Sequence, residues 1–269
     1  MLSSLDDIVA ILRVSVCSPL LSLSTLAGLI YQGAIHPPTS TAAQALSALC
    51  VVVLLSHATV WASRLHRNGW SRTKRLSAEE WAKQAIVVTG GSGGLGREII
   101  RLLSEIGQVT MLVNNAGMLN GKLLLDLAEE EIHRIIAVNL TSHIYTIKAF
   151  LPNMIAAKRG HVVTVSSVMG HIGIAQVADY VATKHALVGL HESLRYELDK
   201  KYQAPEVRTT LFLAPLLQPL DVAAAIVDAL DRQESSDIYL PWYAQWTPLL
   251  RMLPSFLRDL AQKMTPSKA

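Results

Sequence analysis

The sequence predicts an α/β fold, a doubly wound parallel sheet, on two observations. Several short apolar runs each stop at small polar residues, and a glycine-rich turn joins the first run to a helix-periodic stretch. Continuous apolar runs of strand length are what parallel strands buried on both faces require.

The first run is Ala85-Ile86-Val87-Val88-Thr89, read as a buried parallel strand. It enters Gly90-Gly91-Ser92-Gly93-Gly94-Leu95-Gly96, and Ile99, Ile100, Leu102, Leu103 and Ile106 then mark a helix. Strand, glycine turn and helix together bring backbone N–H groups and a helix N-terminus to a phosphate. The second run, Val109-Thr110-Met111-Leu112-Val113, ends in Asn114-Asn115-Ala116-Gly117. The third, His161-Val162-Val163-Thr164-Val165, ends in Ser166-Ser167. Open α/β sheets place ligands at such strand ends. A further strand is read over Glu206-Val207-Arg208-Thr209-Thr210-Leu211-Phe212-Leu213, followed almost at once by a helix over 221–231.

Between these strands, Tyr180 and Lys184 stand four apart in a helical stretch, so phenol and ammonium share one face. A phenol titrates near ~10 and donates poorly at neutral pH. A neighbouring cation favours the phenolate, which makes the pair a candidate general acid/base.

Jointly these residues resemble the short-chain dehydrogenase/reductase family. The resemblance rests on Thr89-Gly90-x-x-x-Gly94-x-Gly96, Asn114-Asn115-Ala116-Gly117, Asn139 in Val138-Asn139-Leu140, Ser167 and Tyr180-x-x-x-Lys184. Ser167, not Ser166, matches the family serine, lying thirteen positions before Tyr180. Lys148-Ala149-Phe150-Leu151-Pro152, Gly160-His161-Val162-Val163-Thr164-Val165 and His191-Glu192-Ser193-Leu194 are similar to the membrane-anchored branch with retinol and hydroxysteroid dehydrogenases. The resemblance implies a Rossmann-like sheet, NAD or NADP as hydride carrier, and a lipophilic alcohol or ketone of the retinoid, steroid or fatty alcohol class. It assigns proton transfer to Tyr180, the nicotinamide ribose and the phenol's acidity to Lys184, the substrate oxygen to Ser167, and a water beside Lys184 to Asn139. Gly90, Ser92, Gly94, Leu95, Gly96, Asn114, Asn115, Ala116 and Gly117 become the cofactor-lining residues, and a homodimer the implied assembly. Asn139-Leu140-Thr141 is formally a glycosylation sequon, but a buried carboxamide is no acceptor.

Two departures from the family matter. Thr89 and Asn114 are 25 positions apart, room for one helix and one strand, where the family holds two strands and two helices. Strands 2 and 3 of the family sheet are therefore expected to be missing, and with them the acid that reads the adenosine ribose. The only acids between Gly96 and Gly117 are Glu98 and Glu105, both in the expected helix, so the choice between NAD and NADP stays open. Joining strand 1 to strand 4 through the first helix alone also strains the right-handed crossover rule. Secondly, Ala214-Pro215-Leu216-Leu217-Gln218-Pro219-Leu220 is short for the lid that the family carries there.

The 269 residues are 51% hydrophobic and 17% charged, enough for one full domain plus membrane segments. We divide them into an anchor region at 1–75, an oxidoreductase domain at 81–238 and a tail at 239–269. Residues 43–62 carry no charge and meet the length of a membrane span; 14–31 is a second, interrupted candidate. The basic stretch at 64–75 places the domain in the cytosol by the positive-inside rule, at endoplasmic reticulum or lipid droplet by family resemblance. The competing reading makes these segments helices of a soluble oxidoreductase. Trp242, Tyr243 and Trp246 suit a membrane interface, and the tail reads equally as an amphipathic helix on a bilayer or as a segment packed on the domain. Cys17 and Cys50 imply no disulfide framework, and the nine histidines form no metal-spaced cluster. The net charge of +3 comes largely from the basic stretch and does not suggest nucleic-acid binding. Beside the enzyme stands a second class of function: a relative that keeps the Tyr-Lys site but serves as a binding or scaffold protein.

Overall fold

The computed structural model describes residues 22–25, 27–28, 41–70, 75–90, 109–214, 219–256 and 258–259. The glycine-turn residues Gly91, Ser92, Gly93, Gly94, Leu95 and Gly96, and the helix expected after them, lie outside the described residues. So do residues 215–218 of the shortened lid. Contacts divide the chain into two units, 1–71 and 72–269.

In the first unit, helix α1 (Thr41–Arg67) contains a 21-residue stretch, Ser47–Arg67, of mean hydropathy 1.6, long and apolar enough to cross a membrane. Leu49, Val52, Leu55, Val60 and Trp61 are all exposed. The helix ends because Gly69 and Trp70 enter the left-handed region at φ 69° and 60°. Asn68 closes it, its side-chain Nδ2 donating to the Arg64 carbonyl at 2.7 Å. Of the weaker span expected over 14–31, residues 22–25 and 27–28 are described, and they are helical.

The second unit is a five-stranded, all-parallel sheet in the order β1 (Ile86–Val88), β2 (Met111–Asn114), β3 (Gly160–Val165), β4 (Val207–Leu213) and β5 (Ser236–Tyr239). Helices cover both faces, as period-2 alternation requires. Val87, Leu112 and Val162 face one core with Ile147, Phe150, Leu151 and Met154 of α4 (Ser142–Ala156). Leu194 and Leu198 of α5 (Ala178–Lys200) close the same core. Met111, Val113 and Val163 face the other, with Ile226 and Leu230 of α6 (Pro219–Arg232) and with Trp81 of α2 (Ala78–Ala82). The Asp231 carboxylate of α6 takes the Trp81 indole N–H at 2.9 Å and the Arg75 guanidinium at 2.6 Å, strapping the segment before β1 to that face.

β1 pairs directly with β2, Val87 opposite Leu112, so among the described residues strands 2 and 3 of the family sheet are absent, as their spacing predicts. One expectation is corrected: β1 is not buried on both faces. Val87 is buried, but Ile86 is 40% and Val88 55% exposed. The strand sits at the sheet edge, where no described strand flanks it. Tyr239, the first residue of the expected tail, is the last of β5, and its ring stacks on His171 at 6.2 Å between centroids. Ala244 is buried just beyond.

Candidate active site

The sequence motifs converge at the C-terminal ends of β1, β2 and β3. Thr89 leaves β1 and folds its hydroxyl over the next strand's exit, accepting from the Asn115 and Ala116 amides, both at 3.1 Å. The Asn115 side chain returns a bond to the Thr89 carbonyl at 3.3 Å. Gly90 follows at φ +85°, and a Cβ there would stand 2.8 Å from the Ala116 Cα. Only glycine satisfies both demands. The close approach of these two backbones, with glycine required at Gly90, leaves a flat surface without side chains at the strand ends, which fits the close lying of a dinucleotide.

Asn114 itself is fully buried beneath this surface. Its Oδ1 accepts from the Thr146 hydroxyl of α4 at 2.8 Å, and its Nδ2 has no hydrogen-bond partner. Gly117 is exposed, and a Cβ there would lie 3.6 Å from the Lys184 Nζ and 3.8 Å from the Asn139 Oδ1.

Asn139 sits in a π-helical turn, Ala137–Thr141, between α3 (Glu129–Ile136) and α4. Such single π turns recur at functional sites. Its side chain accepts from the Met118 amide at 2.8 Å and donates to the Met118 carbonyl at 2.9 Å and the Thr183 hydroxyl at 3.1 Å. Asn139 thus ties the loop after β2 to α5 one residue before Lys184. Fully buried, it offers no nitrogen to a glycosyl donor.

Ser167 lies two residues past the end of β3 and caps a short 3-10 turn, Val168–Gly170, accepting from the Met169 amide at 3.2 Å. Its hydroxyl proton stays available for an oxygen in the site. On α5, Lys184 Nζ donates to the Val165 carbonyl at 3.1 Å and lies 5.4 Å from the centre of the Tyr180 ring. Burial of the ammonium lowers the Lys184 pKa from 10.5 to about 8. Burial raises that of Tyr180, and the Ser167 hydroxyl, close enough to bond the phenolate, opposes the rise. Desolvation is the larger influence on the phenol, and the Lys184 ammonium lies over its ring. The phenol stays protonated at neutral pH, ready to donate.

Three supporting residues escape the sequence reading: Thr146, Thr183 and His143. His143 is fully buried, with Nε2 3.2 Å from the Ala116 carbonyl. The signal was present, since His143 stands four positions after Asn139 and shares its helix face. Asp179, also buried, fixes the start of α5 through the Asn120 amide at 2.7 Å and its neighbour's backbone N–H. Among the described residues no cluster of His, Cys, Asp and Glu could hold a metal ion.

A family model of short chain dehydrogenase matches residues 101–212. Dehydrogenase RED2 of Cochliobolus heterostrophus is 35% identical over 213 residues, which cover 62% of this chain and 79% of that protein. Since 62% of 269 is about 167, some 46 of those aligned positions face a gap here. Retinol dehydrogenase 10 of Homo sapiens is 46% identical over 111 residues, 41% of this chain and 32% of that protein, so the matched part spans a third of its length. Among solved structures, a metagenomic short-chain oxidoreductase in complex with NADP superposes at TM-score 0.47 with 34% identity, over 54% of this chain and 66% of that one.

Proposed function

From the premise that the chain belongs to the short-chain dehydrogenase family, NAD(P)-dependent oxidoreductases acting on alcohols, we propose that it transfers a hydride between NAD or NADP and a lipophilic alcohol or ketone at a membrane surface. The observation that carries this reading is the convergence of the Tyr180 phenol, the Ser167 hydroxyl and the Lys184 ammonium, with Gly117 and Asn139 behind them.

The nicotinamide supplies the hydride chemistry; the protein supplies orientation and proton management. Thr89, Gly90, Asn115 and Ala116 form the floor beneath the dinucleotide. Lys184 faces the ribose side next to Gly117. Ser167 donates to the substrate oxygen and keeps it within reach of Tyr180. Tyr180 gives its proton to that oxygen in reduction and takes it back in oxidation. The pKa of Lys184 near 8 lets it pass a proton toward the phenol close to neutral pH.

Membrane anchoring draws support from α1, whose 21-residue apolar stretch is followed by Arg72, Lys74 and Arg75, consistent with a cytosolic domain at endoplasmic reticulum or lipid droplet. A lipophilic substrate draws support from the relative named retinol dehydrogenase 10 and from that location. The test uses full-length protein in microsomes: alkaline wash for anchoring, fluorescence titration with NAD(H) and NADP(H), and turnover of retinol, a steroid alcohol and a fatty alcohol. Dinucleotide binding with turnover abolished in Tyr180→Phe is the expected result.

A second reading keeps a specific observation in its favour. The strand beside β1, where a ribose-reading acid would stand, is absent among the described residues, so β1 is the edge of the sheet. A folded chain that binds neither dinucleotide would be a binding or scaffold protein on the same frame.

A further inference from the structure

Resting on the oxidoreductase reading, we propose that His143 is a positioning residue for the dinucleotide site, fixing the Ala116 peptide from beneath so that Gly117 keeps its place against Lys184. Residues 115–120 form neither helix nor strand, so no ladder of backbone bonds sets their shape. Side chains set it instead. The Ala116 N–H is taken by the Thr89 hydroxyl at 3.1 Å, and the Ala116 carbonyl faces His143 Nε2 at 3.2 Å. Two residues on, both backbone groups of Met118 are held by Asn139, at 2.8 and 2.9 Å. Gly117 lies between these two clamped peptides, where a Cβ would stand 3.6 Å from the Lys184 Nζ and 3.8 Å from the Asn139 Oδ1.

The chemistry of the imidazole fixes its role. A carbonyl can only accept, so Nε2 must carry the proton. The ring is fully buried, and burial, with the Lys184 charge nearby, holds its pKa down at about 4. It is therefore a neutral donor at working pH, with no charge of its own to set against the Lys184 ammonium. An apolar side chain of similar size would fill the space but leave the half-buried Ala116 carbonyl without this partner, free to swing and carry Gly117 with it. Glutamine places its amide N–H near the Nε2 position and would keep the bond.

The experiment compares wild type, His143→Leu and His143→Gln as full-length protein. It measures dinucleotide Kd by fluorescence titration, thermal melting, and KM and kcat for the alcohol and the dinucleotide separately. The expected result is a tenfold or greater rise in dinucleotide Kd and KM for H143L, with the alcohol KM moved less than threefold and H143Q within threefold of wild type. Wild-type binding in H143L, or equal impairment in H143Q and H143L, overturns the proposal. If wild type binds no dinucleotide, the oxidoreductase reading has failed and the role of His143 with it; if wild type binds and H143L binds equally, only the role of His143 has failed. Should H143L not fold, nitrogen NMR of histidine-labelled wild type decides: an Nε2–H ring that does not titrate above pH 5 is expected, and an Nδ1–H ring or a pKa near 6.5 overturns it.

Discussion

Replacing Lys184 by methionine removes a charge that the fold holds at a cost. The side chain is 3% exposed, and its pKa falls from 10.5 to about 8 through burial alone. That fall corresponds to about 3 kcal/mol of unfavourable burial of the ammonium. Against it stands the bond from Nζ to the Val165 carbonyl, which contributes about 1 kcal/mol. The K184M variant is thus expected to be about 2 kcal/mol more stable than wild type at pH 7, or about 4–8 °C in melting temperature. The pH dependence gives the sharper test. The folded-state pKa lies below the unfolded one, so between about 8 and 10.5 the unfolded chain binds more protons and stability rises with pH. Below pH 8 both states are protonated and the full penalty is present. The stability gap between variant and wild type should therefore be constant from pH 6 to 7.5 and shrink steadily toward pH 10. Denaturant melts of full-length protein in detergent micelles, followed by tryptophan fluorescence at pH 6.5, 8 and 9.5, measure it. A variant less stable than wild type at pH 7, or a gap that does not change with pH, would refute the reasoning. Dinucleotide binding should be lost in the same variant, a trade of stability for function.

Other expectations follow from single contacts. Gly90→Ala forces a side chain into the left-handed region and 2.8 Å from the Ala116 Cα; it should cost about 1–3 kcal/mol in melting experiments and abolish dinucleotide binding. Asn139→Leu leaves the two Met118 backbone groups and the Thr183 hydroxyl short of a partner and should destabilise by about 2–4 kcal/mol; a melting temperature equal to wild type would show that the π turn does not depend on it. Asp231→Ala frees the Trp81 indole, at a cost of about 1 kcal/mol, and should red-shift tryptophan emission. Tyr180→Phe should leave melting within about 1 kcal/mol, because it removes a single hydroxyl whose hydrogen bond is to Ser167, while turnover vanishes.

Much of the site could be read in order along the chain. Tyr180 and Lys184 share a face because helix geometry puts fourth neighbours together, and Asn114 ends β2 and Ser167 follows β3 because an apolar run stops where a site begins. The spacing from Thr89 to Asn114 foretold that β1 would pair with β2 directly, since 25 positions hold no further strands. The edge position of β1 follows from that same deletion, but its exposure did not show in an apolar run that reads as buried. A strand's second face is covered or bare according to what the rest of the chain brings to it.

The local pattern thus determined which residues carry chemistry, and the strands and helices that present them, because periodicity and turn chemistry act within a few residues. Only the tertiary structure decided their energetics and their support. It closed the Tyr180 phenol into a desolvated site, which raises its pKa, and it turned His143 onto the Ala116 carbonyl, Thr146 onto Asn114 and Thr183 onto Asn139. Desolvation and hydrogen-bond partners depend on which distant segments close over a side chain, and that information is spread over the whole fold.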